Sequence, residues 1–283
     1  MPTVPSECAA SDVVVRIDGS ATGLREGVRD LWRYREVLYF LVYRDLKARY
    51  HQTVIGSAWV LLQPMLSAAV LTVVLGLLVR VSTGGVPYPV FVYTALIPWA
   101  LFARGLDAGN SLVINQAMLN KVYFPRAVLP IAAVMTGVVD VIMALPFALL
   151  LMAAFGFSPG PTLLAAPVAV LFALAVSLSV SLWLAALTVR FRDFRAATPL
   201  LGQLLMFATP IMWPSELVPE RWRPLLGVNP MAGVVELFRW TLLGPERAPL
   251  SPVLPISLLV TAGVALAGFA LFRRVEHTVA DVV

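Results

Sequence analysis

From Tyr50 to Val79 the chain runs thirty residues without an Asp, Glu, Lys or Arg. About twenty consecutive apolar residues cross the hydrocarbon layer as a helix. Lipid offers a backbone no hydrogen-bond partner except its own helical ladder, so this run commits the chain to a membrane-spanning α-helix. Arg44, Asp45, Lys47 and Arg49 stand immediately before it. The junction RDLKARYHQTVIGSAWVLLQP, Arg44 to Pro64, therefore marks where the chain leaves water.

The whole composition agrees. Of 283 residues, 59% are hydrophobic and 13% charged, against about 25% charged in soluble domains. The net charge of +5 comes from residues clustered beside apolar runs, which read as topology determinants and not as a nucleic-acid footprint. Cys8 is the single cysteine, so no intrachain disulfide forms. The first fifty residues contain no long apolar core, and the first span is expected to act as the insertion signal.

The expected fold is an all-α membrane protein with six spans. Residues 1–26 read as a polar cytosolic tail, and 27–50 as an amphipathic helix. Leu31, Tyr34, Leu38, Leu41, Val42 and Leu46 fall on one side of a 3.6-residue wheel, with Arg29, Arg33, Glu36, Arg44 and Lys47 opposite. A basic amphipathic helix beside a span lies in the membrane interface, here with Trp32, Arg33, Arg44, Lys47 and Arg49 as its interfacial residues. Residues 51–283 form the six-span domain, with spans near 57–79, 89–106, 127–155, 163–189, 199–213 and 252–272. The second is short enough to tilt or break.

Two segments interrupt the spans. Ser111 to Arg126 is non-spanning, with Asn110 or Ser111 capping a short helix that ends before Pro125. Residues 214–251 are punctuated by proline. Within them Asn229 suits an N-cap, Pro230 a first helical position and Gly244 a C-terminal stop. The helix so bounded is too short to cross a bilayer, so it reads as re-entrant or interfacial. Glu236 and Arg239, three apart, are placed to pair on one face.

Six spans put both termini on one side. That side collects sixteen of the Lys and Arg residues and the other side five. Positive residues stay inside, so both termini are expected in the cytosol and 214–251 outside.

Several chemistries are excluded. A phosphate-cradling P-loop needs Gly-Lys before Ser or Thr, whereas the two lysines, Lys47 and Lys121, follow Leu46 and Asn120. His51 and His277 are too few for a metal or relay cluster, so no catalytic or metal-ligating residue is assigned. Asp140 alone is an ionisable group deep in a span. It is either a coupling carboxylate or a hydrogen-bonded packing residue. Lys121, Tyr123, Phe124 and Arg126 are either topology charge with neighbouring aromatics or a docking surface for a partner. The span aromatics Trp59, Phe91, Tyr93, Trp99, Phe102, Phe207 and Trp213 suit core packing, a lipid belt or a glycan path.

The order of these features resembles one family. The basic amphipathic helix, RDLKARYHQTVIGSAWVLLQP, NKVYFPRAVLP and VNPMAGVVELFRWTLLG before the last span are similar to the membrane subunit of ABC-2 type polysaccharide and polyol-phosphate exporters. The likeness covers about residues 25 to 275. It implies a homodimer in the inner membrane beside a separate ABC ATP-binding subunit, which holds the ATP and Mg that this chain does not. It also implies a lipid-linked glycan as cargo. Asn120, Lys121, Tyr123, Phe124, Pro125 and Arg126 would dock on the ATPase, with Arg192 and Asp193 on the same side. Trp59, Phe207 and Trp213 would line the channel. Asn229, Pro230, Glu236 and Arg239 would belong to an external gate. His51 departs from the basic residue common at its position. The competing expectation is an ion-coupled secondary transporter or lipid flippase using Asp140.

Overall fold

A computed structural model describes residues 29, 32–50, 58–119, 124–191 and 193–276. The expected tail 1–26 and the junction residues 51–57 lie outside the described residues. The described residues are helical, with no strand. They form α1 (Arg35–Tyr50), α2 (Trp59–Leu71), α3 (Tyr88–Ala108), α4 (Ser111–Ile114), α5 (Gln116–Leu119), α6 (Val128–Ala154), α7 (Ala166–Arg190), α8 (Asp193–Ala208), α9 (Pro230–Leu243) and α10 (Val253–Glu276). A π-helical stretch, Thr72–Leu78, extends α2, and a 3-10 turn, Pro161–Ala165, leads into α7.

Among the described residues, five helical stretches are long and apolar enough to cross a membrane: Trp59–Leu78, Tyr88–Ala108, Val128–Ala154, Pro161–Arg190 and Val253–Val275. The chain is a multi-pass membrane protein. The second span is not short: twenty-one residues at 1.5 Å each reach about 31 Å.

The fifth expected span, near 199–213, is α8, and its bounds differ from expectation. It has sixteen residues, or about 24 Å, less than the hydrocarbon thickness. Thr209–Trp213 leaves the helix in turns around Pro210. Asp193 follows the end of α7, while the Ile211 and Met212 carbonyls accept from Arg239 and Tyr88 at the opposite end of the bundle.

Helix α3 is the hub. Sixteen of its residues are buried, against α2, α6, α7 and α9. Without water to drive helix association, close approach matters most in lipid. Gly105 supplies it between α3 and α7: a Cβ there would sit 2.7 Å from the Ser177 carbonyl oxygen. Gly233 does the same between α9 and α10, where a Cβ would stand 2.4 Å from that of Ser257. A second apolar cluster closes the end of the bundle nearest α1, joining Leu41 to Leu112, Phe124, Val128, Ala185 and Phe272.

Helix α2 contrasts with α3. Ala68 is its only buried residue, and Leu66, Val70, Leu77 and Leu78 stand exposed. Leu200, Leu204 and Phe207 of α8 are exposed too. Leu150 of α6, Leu171 of α7 and Leu259 of α10 face outward as well, but α2 and α8 are set apart from these helices by carrying a single buried residue each, Ala68 and Thr198.

Candidate functional site

The site begins with α1. Leu41 turns into the bundle, while Tyr39, Phe40 and Tyr43 point outward with Trp32. Arg33 and Lys47 are exposed as expected. Arg44, expected on the polar face, and Arg49 are both half-buried. Their guanidinium groups reach inward because the bundle holds the acceptors a long side chain can find. Arg44 donates to Asp45 at 2.9 Å and to Asn115 Oδ1 at 3.0 Å, and contacts Met118 Sδ at 3.4 Å. Arg49 donates to both Asp140 oxygens, at 2.9 and 3.3 Å, and to Thr136 Oγ1 at 3.1 Å.

Asp140 is 5% exposed and lies between two guanidinium groups. Arg104 Nε donates to Oδ2 at 3.3 Å from α3. The carboxylate therefore ties α1, α3 and α6 together. A buried carboxylate stripped of its partners would be costly, so the three side chains are mutually dependent. Of the two readings open for Asp140, this geometry is that of a bonded packing group. Arg104, Thr136 and Asn115 were not singled out from sequence. Arg104 carried a signal, since it stands near the end of a span, but nothing local said which carboxylate it would meet.

Two cavities flank the cluster. One of about 310 Å³ is lined by Arg44, Arg49, Arg104, Asn115 and Thr136. The other, of about 280 Å³, lies between α2, α3 and α8, lined by Gln63, Ser67, Trp99, Arg104, Asp140 and Met206. In the second, the Arg104 and Asp140 side chains share an otherwise largely apolar groove with residues of α2 and α8.

The expected ATPase-coupling residues separate. Asn120, Lys121, Tyr123 and Arg192 lie outside the described residues. Phe124 is 4% exposed and packed among Leu41, Leu112 and Val128. It is thus a core residue and not a surface anchor, because its ring fills the gap beneath α1. Pro125 and Arg126 are half-buried, and Asp193 is exposed in the first turn of α8. Asn110 takes the N-cap position of α4, but its side chain makes no capping bond.

Of the expected channel residues, Trp59 and Phe207 are exposed on α2 and α8. The Trp213 indole donates to the Phe207 carbonyl at 3.3 Å. Trp59 begins α2 near the α1 end, and Phe207 and Trp213 lie toward the other, so the three do not form one cluster. Trp99 lines the groove cavity and was not singled out as a channel residue.

At the α9 end the local signals hold. Asn229 Oδ1 accepts from the Met231 amide at 3.1 Å, Pro230 opens the helix, and Gly244 ends it with φ 86°. Asn229 Nδ2 also donates to Thr209 Oγ1 at 2.9 Å, fastening α9 to the end of α8. The expected Glu236–Arg239 pair does not form. Glu236 accepts from the Ser251 amide and, at 3.0 Å, from the Ser251 hydroxyl. Arg239 donates to the Ile211 carbonyl at 2.9 Å, and its guanidinium lies 3.6 Å from the Phe91 ring centroid. Each found a stronger fixed partner than its i+3 neighbour. Burial raises the Glu236 pKa above the usual carboxylate range, opposed by the two Ser251 hydrogen bonds. Burial lowers that of Arg239 to about 9, which leaves it charged at neutral pH.

Comparison with known proteins gives a consistent answer. The sequence pattern of the family described as ABC-2 type transporter matches residues 36–243. The chain is similar to the O-antigen export system permease protein RfbA of Myxococcus xanthus, 33% identical over 82% of this chain and 91% of that protein. It is 27% identical to the O-antigen export system permease protein RfbA of Klebsiella pneumoniae, over 87% of this chain and 95% of that one. It is 24% identical to the polysialic acid transport protein KpsM of Escherichia coli, over 84% and 92% of the two chains. The pattern spans from the inward-turned arginines of α1 to the last residue of α9, and on that match the chain belongs to the ABC-2 type transporter membrane family.

Proposed function

We propose that this chain is the permease half of an ATP-driven exporter that moves a lipid-linked polysaccharide across the inner membrane. The observation that carries the reading is the loosely packed apolar side formed by α2 and α8, each with one buried residue, and the Arg104–Asp140 polar centre in the cavity between them. A single copy leaves that side without a partner. Two copies about a two-fold axis would enclose it and give twelve crossings if α8 and its turn count as the sixth. Relatives named for O-antigen export and polysialic acid transport support a glycan as cargo.

In this reading ATP hydrolysis belongs to a separate subunit, which agrees with lysines that follow Leu46 and Asn120 and not glycine. Its movement enters through residues 111–126 and 190–195 on the cytosolic side, the side that also carries both termini. From there the path is continuous in side chains. Asn115 holds Arg44, α1 carries Arg49, and Arg49 holds Asp140 in the bundle. Hydrolysis drives transport only if the two states of the bundle contact the ATPase differently. The α9 segment forms the outer mouth.

The alternative, an ion-coupled carrier or flippase titrating Asp140, is disfavoured by the two arginines, since releasing a cation would require breaking both pairs. Copurification and gene deletion test the proposal. The chain should elute as a dimer with an ATP-binding subunit, and surface glycan should vanish when either gene is deleted. A monomer whose export survives loss of the ATP-binding subunit would overturn it.

A further inference from the structure

A third cavity lies at the α9 end, away from the Asp140 cluster. It has a volume of about 340 Å³ and is enclosed by α9, the first turns of α3 and residues 214–216 and 247–252. Three arginines line it: Arg223, Arg239 and Arg247. So do two glutamates, Glu216 and Glu236. Among the described residues no ion pair joins any of these arginines to either glutamate. Glu236 has both oxygens committed to Ser251, and Glu216 is exposed.

The arginines are left with donors to spare. Arg239 is 6% exposed, and its Nε is buried with no acceptor. Arg223 Nε is buried in the same state. The Arg247 guanidinium sits 4.7 Å from the Phe157 ring centroid, so its edge stays available for hydrogen bonding. A buried guanidinium donor without an acceptor is costly. Two such donors, with the exposed Arg247 guanidinium at the rim of the same cavity, match a planar or tetrahedral oxyanion, which accepts several charge-assisted bonds at once.

We propose that this cavity is an oxyanion site, taking a phosphate or carboxylate group in the bonds that Arg239, Arg223 and Arg247 do not make within the chain. Two sources share this chemistry: a charged group on the exported polymer, and a lipid headgroup of the outer leaflet. The site rests on the export reading only for its source and its side of the membrane. Binding of a free anion depends on neither.

The test uses the full-length chain in phosphatidylcholine nanodiscs, with radiolabelled inorganic phosphate at equilibrium and empty discs as the blank. Saturable binding is expected. Arg239→Met, Arg223→Gln and Arg247→Gln should each weaken it about tenfold or more, the loss of one charge-assisted bond. Arg221→Met, whose side chain stacks outside the cavity on Trp222, should leave it unchanged. Should Arg239→Met fail to fold, the other two variants decide. Competition by glucose 1-phosphate or galacturonate identifies a polymer-borne group, and displacement by phosphatidylglycerol in the discs identifies a headgroup. Absence of saturable phosphate binding, or binding indifferent to Arg223→Gln and Arg247→Gln in folded protein, overturns the site. Normal phosphate binding by a chain that exports no glycan would leave the site standing and sink the export reading instead.

Discussion

Arg49, in the last turn of α1, donates to Asp140 of α6 at 2.9 Å across ninety-one positions of sequence. The pair turns a helix at the membrane edge into a part of the bundle. Thermal unfolding of the wild type, Arg49→Ala, Asp140→Ala and the double variant should show a coupling energy of about 1–3 kcal/mol between the two sites. Additive losses would mean that the contact carries no energy of its own.

The next contact outward is Arg44 to Asn115. If force passes from the coupling loop through α1, Arg44→Gln should leave ATP hydrolysis by the assembled complex near its usual rate and lower export several-fold. Equal falls in both would assign Arg44 to assembly alone.

Gly233 faces Ser257 so closely that an added methyl has no room. Gly233→Ala should destabilise the chain by about 1–3 kcal/mol, as overpacking does. Ser257→Gly should recover part of that loss, because it removes the atoms the methyl would strike. The melting temperatures of the two single variants and the double variant check it.

Glu236 gives a pH dependence. Its folded pKa is raised from an ordinary 4.5, so the folded chain binds more protons than the unfolded one in the window above that value. Stability should therefore fall as pH rises through the window. Glu236→Gln should flatten that slope, read as melting temperature against pH from about 4.5 upward.

Local chemistry made part of this fold legible. The Asn229 cap, Pro230 and Gly244 specify α9 within fifteen residues, and long apolar runs specify the five spans. What escaped was tertiary. Glu236 and Arg239 stand at pairing distance along a helix, yet Ser251 and Ile211, remote in sequence, offered fixed acceptors and donors. Phe124 read as a surface aromatic because its neighbours are polar, and only the packing of α1 over α6 buries it. Asp140 was visible as the lone buried charge, but not its two arginines, since a flexible cation can reach any of several carboxylates. The apolar pattern places the fifth span at 199–213 because it continues to Trp213, whereas α8 starts earlier, at Asp193, and ends at Ala208 before Pro210.

Glycan movement on energy supplied by ATP through a separate subunit, as proposed above, can be measured directly. The direct measurement is glycan translocation in proteoliposomes holding the chain with its ATP-binding partner, assayed with ATP and with a proton ionophore. Transport should require the partner and ATP and ignore the ionophore. Transport without the partner, or transport abolished by the ionophore and by Asp140→Asn in folded protein, would contradict it.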